Sequence, residues 1–255
     1  MARKRHTPAD EPFFAVRTLA SDHRAGDSIV RHQHDWHQLI YAASGVLRIW
    51  TERGSWIAPP QWAVWVPAGT RHGIAFAAPS ALRTLYLRPG EQGLPEQCSA
   101  VTVSPLLREL ILKAIRLAML DTRDPAEAAL ALLIVDEFRQ SGAPPFDLPE
   151  PATKATRRAA ALIAAGAREA RSTAALARAC AIGARTLERR FRAETGMSPG
   201  AWRRQRALLQ ALERLAGGES VKAVAHSAGY AAPSAFVAAF RAAFGVTPGR
   251  YFDRA

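Results

Sequence analysis

Short apolar runs broken by turn residues dominate the chain from residue 13 to residue 88. Leu39–Tyr41, Val46–Trp50, Ala63–Val66 and Leu82–Leu87 are rich in branched and aromatic side chains. Ser44-Gly45, Arg53-Gly54, Pro59-Pro60, Pro67-Ala68-Gly69 and Pro79-Ser80 separate them. Runs of this length at this spacing predict a β-sandwich or barrel. The period then lengthens. Leu107, Leu110, Ile111, Ala114, Ile115 and Ala118 fall on one face of a helix over Ser104–Leu120. Asp124-Pro125-Ala126-Glu127 is a helix start: an acidic cap, proline in the first turn and glutamate three residues after the cap. That helix is expected to run to about Gln140, with Gly142 as its stop. Its segment Ala129–Val135 is apolar on most sides, which suits burial in its own domain or against a second subunit.

Residues 152–255 are helical in pattern throughout and contain an internal repeat. Phe191–Trp202 matches Phe240–Tyr251 at a constant offset of 49 residues, with six of twelve positions identical. Leu187 pairs with Phe236 at the same offset. Each copy predicts a helix-turn-helix. In the first, Ser172 caps a helix Thr173–Ala181, Ile182-Gly183 makes the turn, and a second helix spans about Ala184–Thr195. Leu187 and Phe191 face inward, leaving Arg185, Glu188, Arg189 and Arg192 outside. In the second, Val221–Ser227 is followed by Gly229, and Pro233 opens a helix Ser234–Phe244 with Phe236 and Phe240 inward. Between the units, Pro199–Leu215 reads as one connecting helix carrying Arg203, Arg204 and Arg206.

Charge sharpens this division. The 255-residue chain has a net charge of +12. Residues 1–151 carry 16 basic and 16 acidic side chains, whereas residues 152–255 carry 18 and 6, so the helical part holds the whole excess. A basic domain of this kind is the electrostatic footprint of a polyanion binder. The expected organisation is α+β with two domains: a β-domain with its helices over 1–141, a proline-rich linker over 142–153, and a helical domain over 154–255. Cys98 and Cys180 are too few for a disulfide scaffold and read as small buried hydrophobes. The longest apolar run, Ala128–Val135, is far short of the ~20 residues of a spanning helix, and the basic N-terminus lacks the apolar stretch of a signal peptide. The expectation is a cytoplasmic protein with no membrane partner.

A duplicated helix-turn-helix on a basic domain points to double-stranded DNA. A recognition helix fits the major groove and reads base edges from its N-terminal half. Two of them can address groove faces about 34 Å apart. A connecting helix of some fifteen residues spans roughly 22 Å at 1.5 Å per residue, a suitable spacer. Outlying arginines supply phosphate contacts. In the β-domain, five of the six tryptophans lie between Trp36 and Trp65. Such a concentration either lines a small-molecule cavity or fills the core.

These residues carry a family resemblance. The segments Leu176–Pro199 (LARACAIGARTLERRFRAETGMSP) and Val224–Phe252 (VAHSAGYAAPSAFVAAFRAAFGVTPGRYF) resemble the DNA-binding domain of AraC/XylS transcription regulators over nearly its whole length. The resemblance implies that Arg185, Glu188 and Arg189 of the first recognition helix face bases, with Arg192 beside them. It implies the equivalent role for Pro233, Ser234, Val237 and Ala238 of the second, ahead of Arg241. Two departures stand out. Gly183 replaces a frequent serine cap at small cost. Ala238 stands where some relatives have arginine, so the second helix has no basic residue before Arg241, and sequence discrimination should rest mainly on the first.

The N-terminal half resembles the cupin sensor domain of the same regulators. The cupin pattern G-x5-H-x-H-x3-E-x6-G appears as Gly26, His32, His34, Gln38 and Gly45, with glutamine in place of glutamate. The pattern P-x-G-x2-H appears as Pro67, Gly69 and His72. The resemblance implies a candidate metal site of His32, His34, Gln38 and His72 for one divalent transition metal; three imidazoles and an oxygen suit Zn, Fe, Mn, Ni or Co. The loss of the anionic glutamate leaves the alternative open that these histidines, with Tyr41, Trp50, Trp62, Trp65 and Tyr86, bind an organic effector directly. Either way the expected function is a ligand-responsive, sequence-specific transcription regulator rather than an enzyme. Its partners would be an operator, a small-molecule or metal effector, a second copy of the chain, and RNA polymerase. A metal-dependent cupin enzyme fused to a DNA-binding domain is the competing class, and a sequence-indifferent DNA binder is a further one.

Overall fold

The computed structural model describes residues 13–52, 54–90, 94–142 and 148–251. Its first part is built from antiparallel strands: β1 Phe14–His23, β2 Ser28–His32, β3 His37–Ser44, β4 Leu47–Thr51, β5 Ser55–Ala58, β6 Trp62–Val66, β7 His72–Phe76, β8 Ser80–Leu87, β9 Ser99–Thr102 and β10 Met119–Asp121. They form a six-stranded sheet in the order β10-β1-β8-β3-β6-β9 and a four-stranded sheet in the order β2-β7-β4-β5. The space between the sheets is filled by Ile40, Ala42, Leu47, Ile49, Val64, Val66, Ile74, Phe76 and Leu82. Successive side chains of a strand point to opposite faces, so their neighbours point outward. On the large sheet those neighbours are Leu39, Tyr41, Ala63, Trp65, Leu85 and Leu87, and helices cover them.

The covering helices are α1 Pro105–Leu117 and α2 Pro125–Gln140. Ser104 Oγ accepts the Leu107 N–H at the start of α1, and Asp124 accepts from Ala126 and Glu127 at the start of α2. The first helix stops three residues short of its predicted end. Ala118 takes φ +67°, and Met119–Asp121 leaves the helix to pair with β1 as an edge strand. Backbone pairing at the sheet edge outweighs the helical period of the sequence there. The expected proline-rich linker, residues 142–153, is described only at its two ends, because 143–147 lie outside the described residues, as does the basic N-terminal stretch.

The helical part comprises α3 Lys154–Ala164, a 3-10 turn Arg168–Arg171, α4 Thr173–Ala179, α5 Ala184–Thr195, α6 Pro199–Ala216, α7 Val221–Ser227, α8 Pro233–Phe244 and α9 Pro248–Tyr251. Ser172, Ser198 and Ser220 each cap the helix that follows, accepting the N–H of Ala175, Ala201 and Ala223. The paired aromatic positions of the repeat meet in the core: Phe191, Trp202, Phe236, Phe240 and Tyr251 are all buried. The start of this domain is tied down by Glu194. Its carboxylate accepts from the Ala152 and Thr153 N–H groups and from Thr156 Oγ1, while the Trp202 indole donates to the Pro149 carbonyl. One sensor residue, Trp62, and one linker residue, Leu148, join the helical core cluster, so the two domains share a packed contact.

Candidate functional site

The histidines converge at one end of the barrel. His32 closes β2, His34 sits in the connection to β3, and His72 opens β7 in register with His32. Their ring centroids are 4.4–5.8 Å apart, and one ring nitrogen of each lies within 4.8 Å of the others. Each Nδ1 rests on a backbone carbonyl: His32 on Val30 at 3.0 Å, His34 on Trp36 at 2.7 Å and His72 on Thr70 at 2.9 Å. A carbonyl can only accept, so each Nδ1 carries a proton. His72 is fully buried and its Nε2 has no hydrogen-bond partner. Burial, reinforced by the nearby His32 and His34 against the Thr70 bond, lowers its pKa to about 4, so the ring is neutral at pH 7.

Gln38 completes the cluster in an unusual way. Thr84 Oγ1 spends its proton on the Leu39 carbonyl at 3.0 Å, so toward Gln38 it accepts, from Gln38 Nε2 at 2.9 Å. That chain turns Gln38 Oε1 toward His34 Nε2, 2.9 Å away. Oε1 can only accept, so the contact is satisfied by a proton on His34 Nε2 or by a metal ion held between the two atoms. The donor chemistry therefore fits a divalent cation: three oriented imidazoles and one amide oxygen.

The predicted effector aromatics do not gather around this cluster, with one exception. Tyr86 lies edge-on to His34 at 5.1 Å. Tyr41 and Trp65 fall on the outward parity of β3 and β6 and are buried beneath α1 and α2, where Trp65 meets Phe138 at 4.7 Å and donates to the Pro95 carbonyl. Trp50 lies on the outer face of β4, across from Gly73, whose backbone leaves room for the indole. Trp62, at the first position of β6, reaches the helical domain and meets Phe244 at 5.9 Å. The period-2 alternation of the strands thus places these four away from the histidine cluster. His37 lies on the opposite face from the cluster, as its parity predicts, stacked on Trp65 at 5.1 Å. Burial, then the proximity of the His34 imidazole, lowers its pKa.

In the helical domain, α5 follows Gly183, which makes no side-chain cap, and buries Leu187 and Phe191. Arg185, Glu188, Arg189 and Arg192 are exposed on its other side. On α8, Pro233, Ser234, Ala238 and Arg241 are exposed, while Val237 is half-buried against the helical core. Each helix presents an open outer face of the kind that enters a major groove. Sequence reasoning missed the residues that join the domains. Arg48 on β4 contacts Glu213 on α6, and Gln61 Nε2 donates to the Tyr251 carbonyl at 3.2 Å. Their separations of 165 and 190 residues leave no local signal.

A barrel with a donor-lined end, joined to paired helix-turn-helix units, defines a DNA-binding regulator with a ligand-binding domain. The chain belongs to the AraC-type helix-turn-helix transcriptional regulators. Residues 14–135 match the AraC-like ligand binding domain and residues 176–254 the helix-turn-helix domain of that family. It is 34% identical over 223 residues to the HTH-type transcriptional regulator NimR of Escherichia coli K12, an alignment covering 88% of this chain and 82% of NimR. It is 33% identical over 103 residues to the HTH-type transcriptional regulator RipA of Corynebacterium glutamicum, covering 40% of this chain and 31% of RipA. The crystal structure of ToxT from Vibrio cholerae O395 superposes over 94% of this chain and 97% of its own at 10% identity, with a TM-score of 0.39. Membership in this family makes the chain a ligand-responsive transcription regulator, not an enzyme, with DNA and a small-molecule effector as partners. Among the described residues, no helix is long and apolar enough to cross a membrane.

Proposed function

We propose that the effector acts at a metal site formed by His32, His34 and His72, with Gln38 Oε1 as the fourth donor. The observation that carries this is the convergence of His32, His34 and His72, one ring nitrogen of each within 4.8 Å of the others, with Gln38 Oε1 2.9 Å from His34 Nε2. The neutral ring and unpartnered Nε2 of buried His72 add support. A bound metal would supply a Lewis-acidic centre; the chain's residues orient the imidazoles through the Val30, Trp36 and Thr70 carbonyls. Four of the five predicted aromatics face away, which favours this reading over an aromatic-lined organic pocket. In the DNA-binding half, Arg185, Glu188 and Arg189 read bases from α5, with Arg192 and Arg241 on phosphates. Ser234 and Ala238 make the weaker contribution of α8, and Val237 adds apolar contact.

The regulator works as a homodimer in the cytoplasm. Leu132 and Leu133 on α2 and Leu106 on α1 are 67%, 51% and 52% exposed, an apolar face suited to a second copy. RNA polymerase is the further partner wherever the bound protein activates transcription. The test of the site is elemental analysis of untagged protein beside a His32→Ala/His34→Ala/His72→Ala variant. About one equivalent of transition metal, lost in the variant, is expected. Absence of metal from both folded proteins, purified and then incubated with Zn(II), would overturn the site.

A further inference from the structure

The two domains touch along β4, β5 and the start of β6. Arg48 of β4 points away from the barrel core and grips Glu213 of α6 with two prongs: Nε donates to Oε1 at 2.8 Å, and a terminal nitrogen donates to Oε2. The Glu213 side chain is 9% exposed, so this carboxylate is held largely out of water. Further contacts lie along the same junction. Ile57, beside Arg48 on β5, packs on the helical core, Trp62 meets Phe244, and Gln61 bonds the Tyr251 carbonyl. A second guanidinium, Arg206 of α6, also feels the Glu213 charge. The contact thus seizes the C-terminal part of α6 and the end of the second helix-turn-helix unit.

The same strand borders the histidine cluster. Thr51, three residues beyond Arg48 on β4, is in register with His72 on β7, and Ile49 between them points into the barrel core. Between Arg48 and Thr51, β4 is held by ladder pairing to β5 on one side and β7 on the other. The base-reading faces of α5 and α8 stay exposed in the docked arrangement. Docking therefore does not act by covering them. It sets the position of α6, the helix that spaces the two units.

We propose that Arg48 and Glu213 are the positioning residues that couple the sensor to the DNA-binding domain, with β4 carrying the state of the histidine cluster to α6. The input end rests on the metal reading above; the output end rests on the observed contact. Spatial continuity needs an energetic test. A buried carboxylate deprived of its guanidinium, or facing a second negative charge, disfavours docking, and reversing both charges restores the attraction.

The test uses the full chain and an operator selected from random DNA by the wild type. Wild type, Arg48→Glu, Glu213→Arg and the double reversal are compared in two readouts: radius of gyration by small-angle scattering, and the fold-change in operator affinity on adding Zn(II). Both single variants are expected to expand the molecule and to reduce the Zn(II) response at least fivefold, and the double variant to regain both. Arg48 is about half exposed at 46%, so Arg48→Glu keeps the comparison decisive even where Glu213→Arg fails to fold. An Arg48→Glu protein with wild-type dimensions, or with the full Zn(II) response, overturns the coupling. A wild type that takes up no Zn(II) fails instead at the metal reading and takes the input end with it. In that case the scattering comparison alone decides whether Arg48 and Glu213 hold the domains together.

Discussion

Gln38 Oε1 stands 2.9 Å from His34 Nε2, fixed there by a hydrogen-bond chain through Thr84 to the Leu39 carbonyl. A glutamate at this position would bring a negative oxygen to the same place. Gln38→Glu is therefore expected to tighten Zn(II) binding roughly ten- to a hundredfold, and Gln38→Leu to weaken it by a comparable factor. Competition with a chelator of known affinity measures both. Equal affinity in all three proteins would remove Gln38 from the donor set.

His72 makes stability depend on pH in metal-free protein. Its folded pKa, about 4, lies below the ordinary imidazole value of 6.5. Between these values the unfolded chain binds the proton and the folded chain does not. The contribution is thus complete above about pH 6.5 and is lost as pH falls toward 4. Urea unfolding at pH 7 and pH 5 should show a decline that His72→Gln diminishes; an identical decline in the variant would assign it to other groups.

Arg189 of α5 is exposed, and the proposed reading sets it against a base edge. Arg189→Ala should cost about 1–3 kcal/mol at one base position and relax the preference there. The matching change on the second helix, Ser234→Ala, should alter the selected motif less, because α8 offers few polar side chains before Arg241. Binding-site selection with each variant makes the comparison. An unchanged motif with Arg189→Ala would move base reading elsewhere.

The exposed leucines of α2 set the oligomeric state in this reading. Leu132→Glu/Leu133→Glu places two charges on an apolar face without touching the buried Leu130, Ile134 or Phe138. Light scattering is expected to show the wild-type dimer become a monomer with unchanged secondary structure. A wild type that is monomeric at tens of micromolar would dismiss this interface.

A backbone test lies at Gly45, in the turn between β3 and β4. Its φ is +79°, and an added Cβ would come within 2.5 Å of the Pro79 carbonyl and 2.8 Å of Ser80 Cα. Gly45→Ala should therefore destabilise the barrel by more than the ~1 kcal/mol of an ordinary left-handed glycine. Thermal unfolding of the variant reads this directly.

The helices were largely legible in the sequence because their determinants are local. Asp124, Ser172, Ser198 and Ser220 cap the helices that follow them, and the spacing of Leu187, Phe191, Phe236 and Phe240 decides which faces are buried. The histidine spacing likewise brought His32 and His34 to one side, and the motif containing His72 completed the cluster. What the chain order could not decide was which way each tryptophan faced. Aromatic composition is blind to strand parity, and parity sent Tyr41 and Trp65 under the helices and Trp50 to the outer surface. Ala118 shows the same limit for a boundary: the helical period continued, yet edge pairing with β1 ended the helix. The contact of Arg48 with Glu213 belongs wholly to the tertiary structure. Helix caps and periodicities act over a few residues, whereas the meeting of two domains depends on how whole faces pack, and no short stretch of sequence records that.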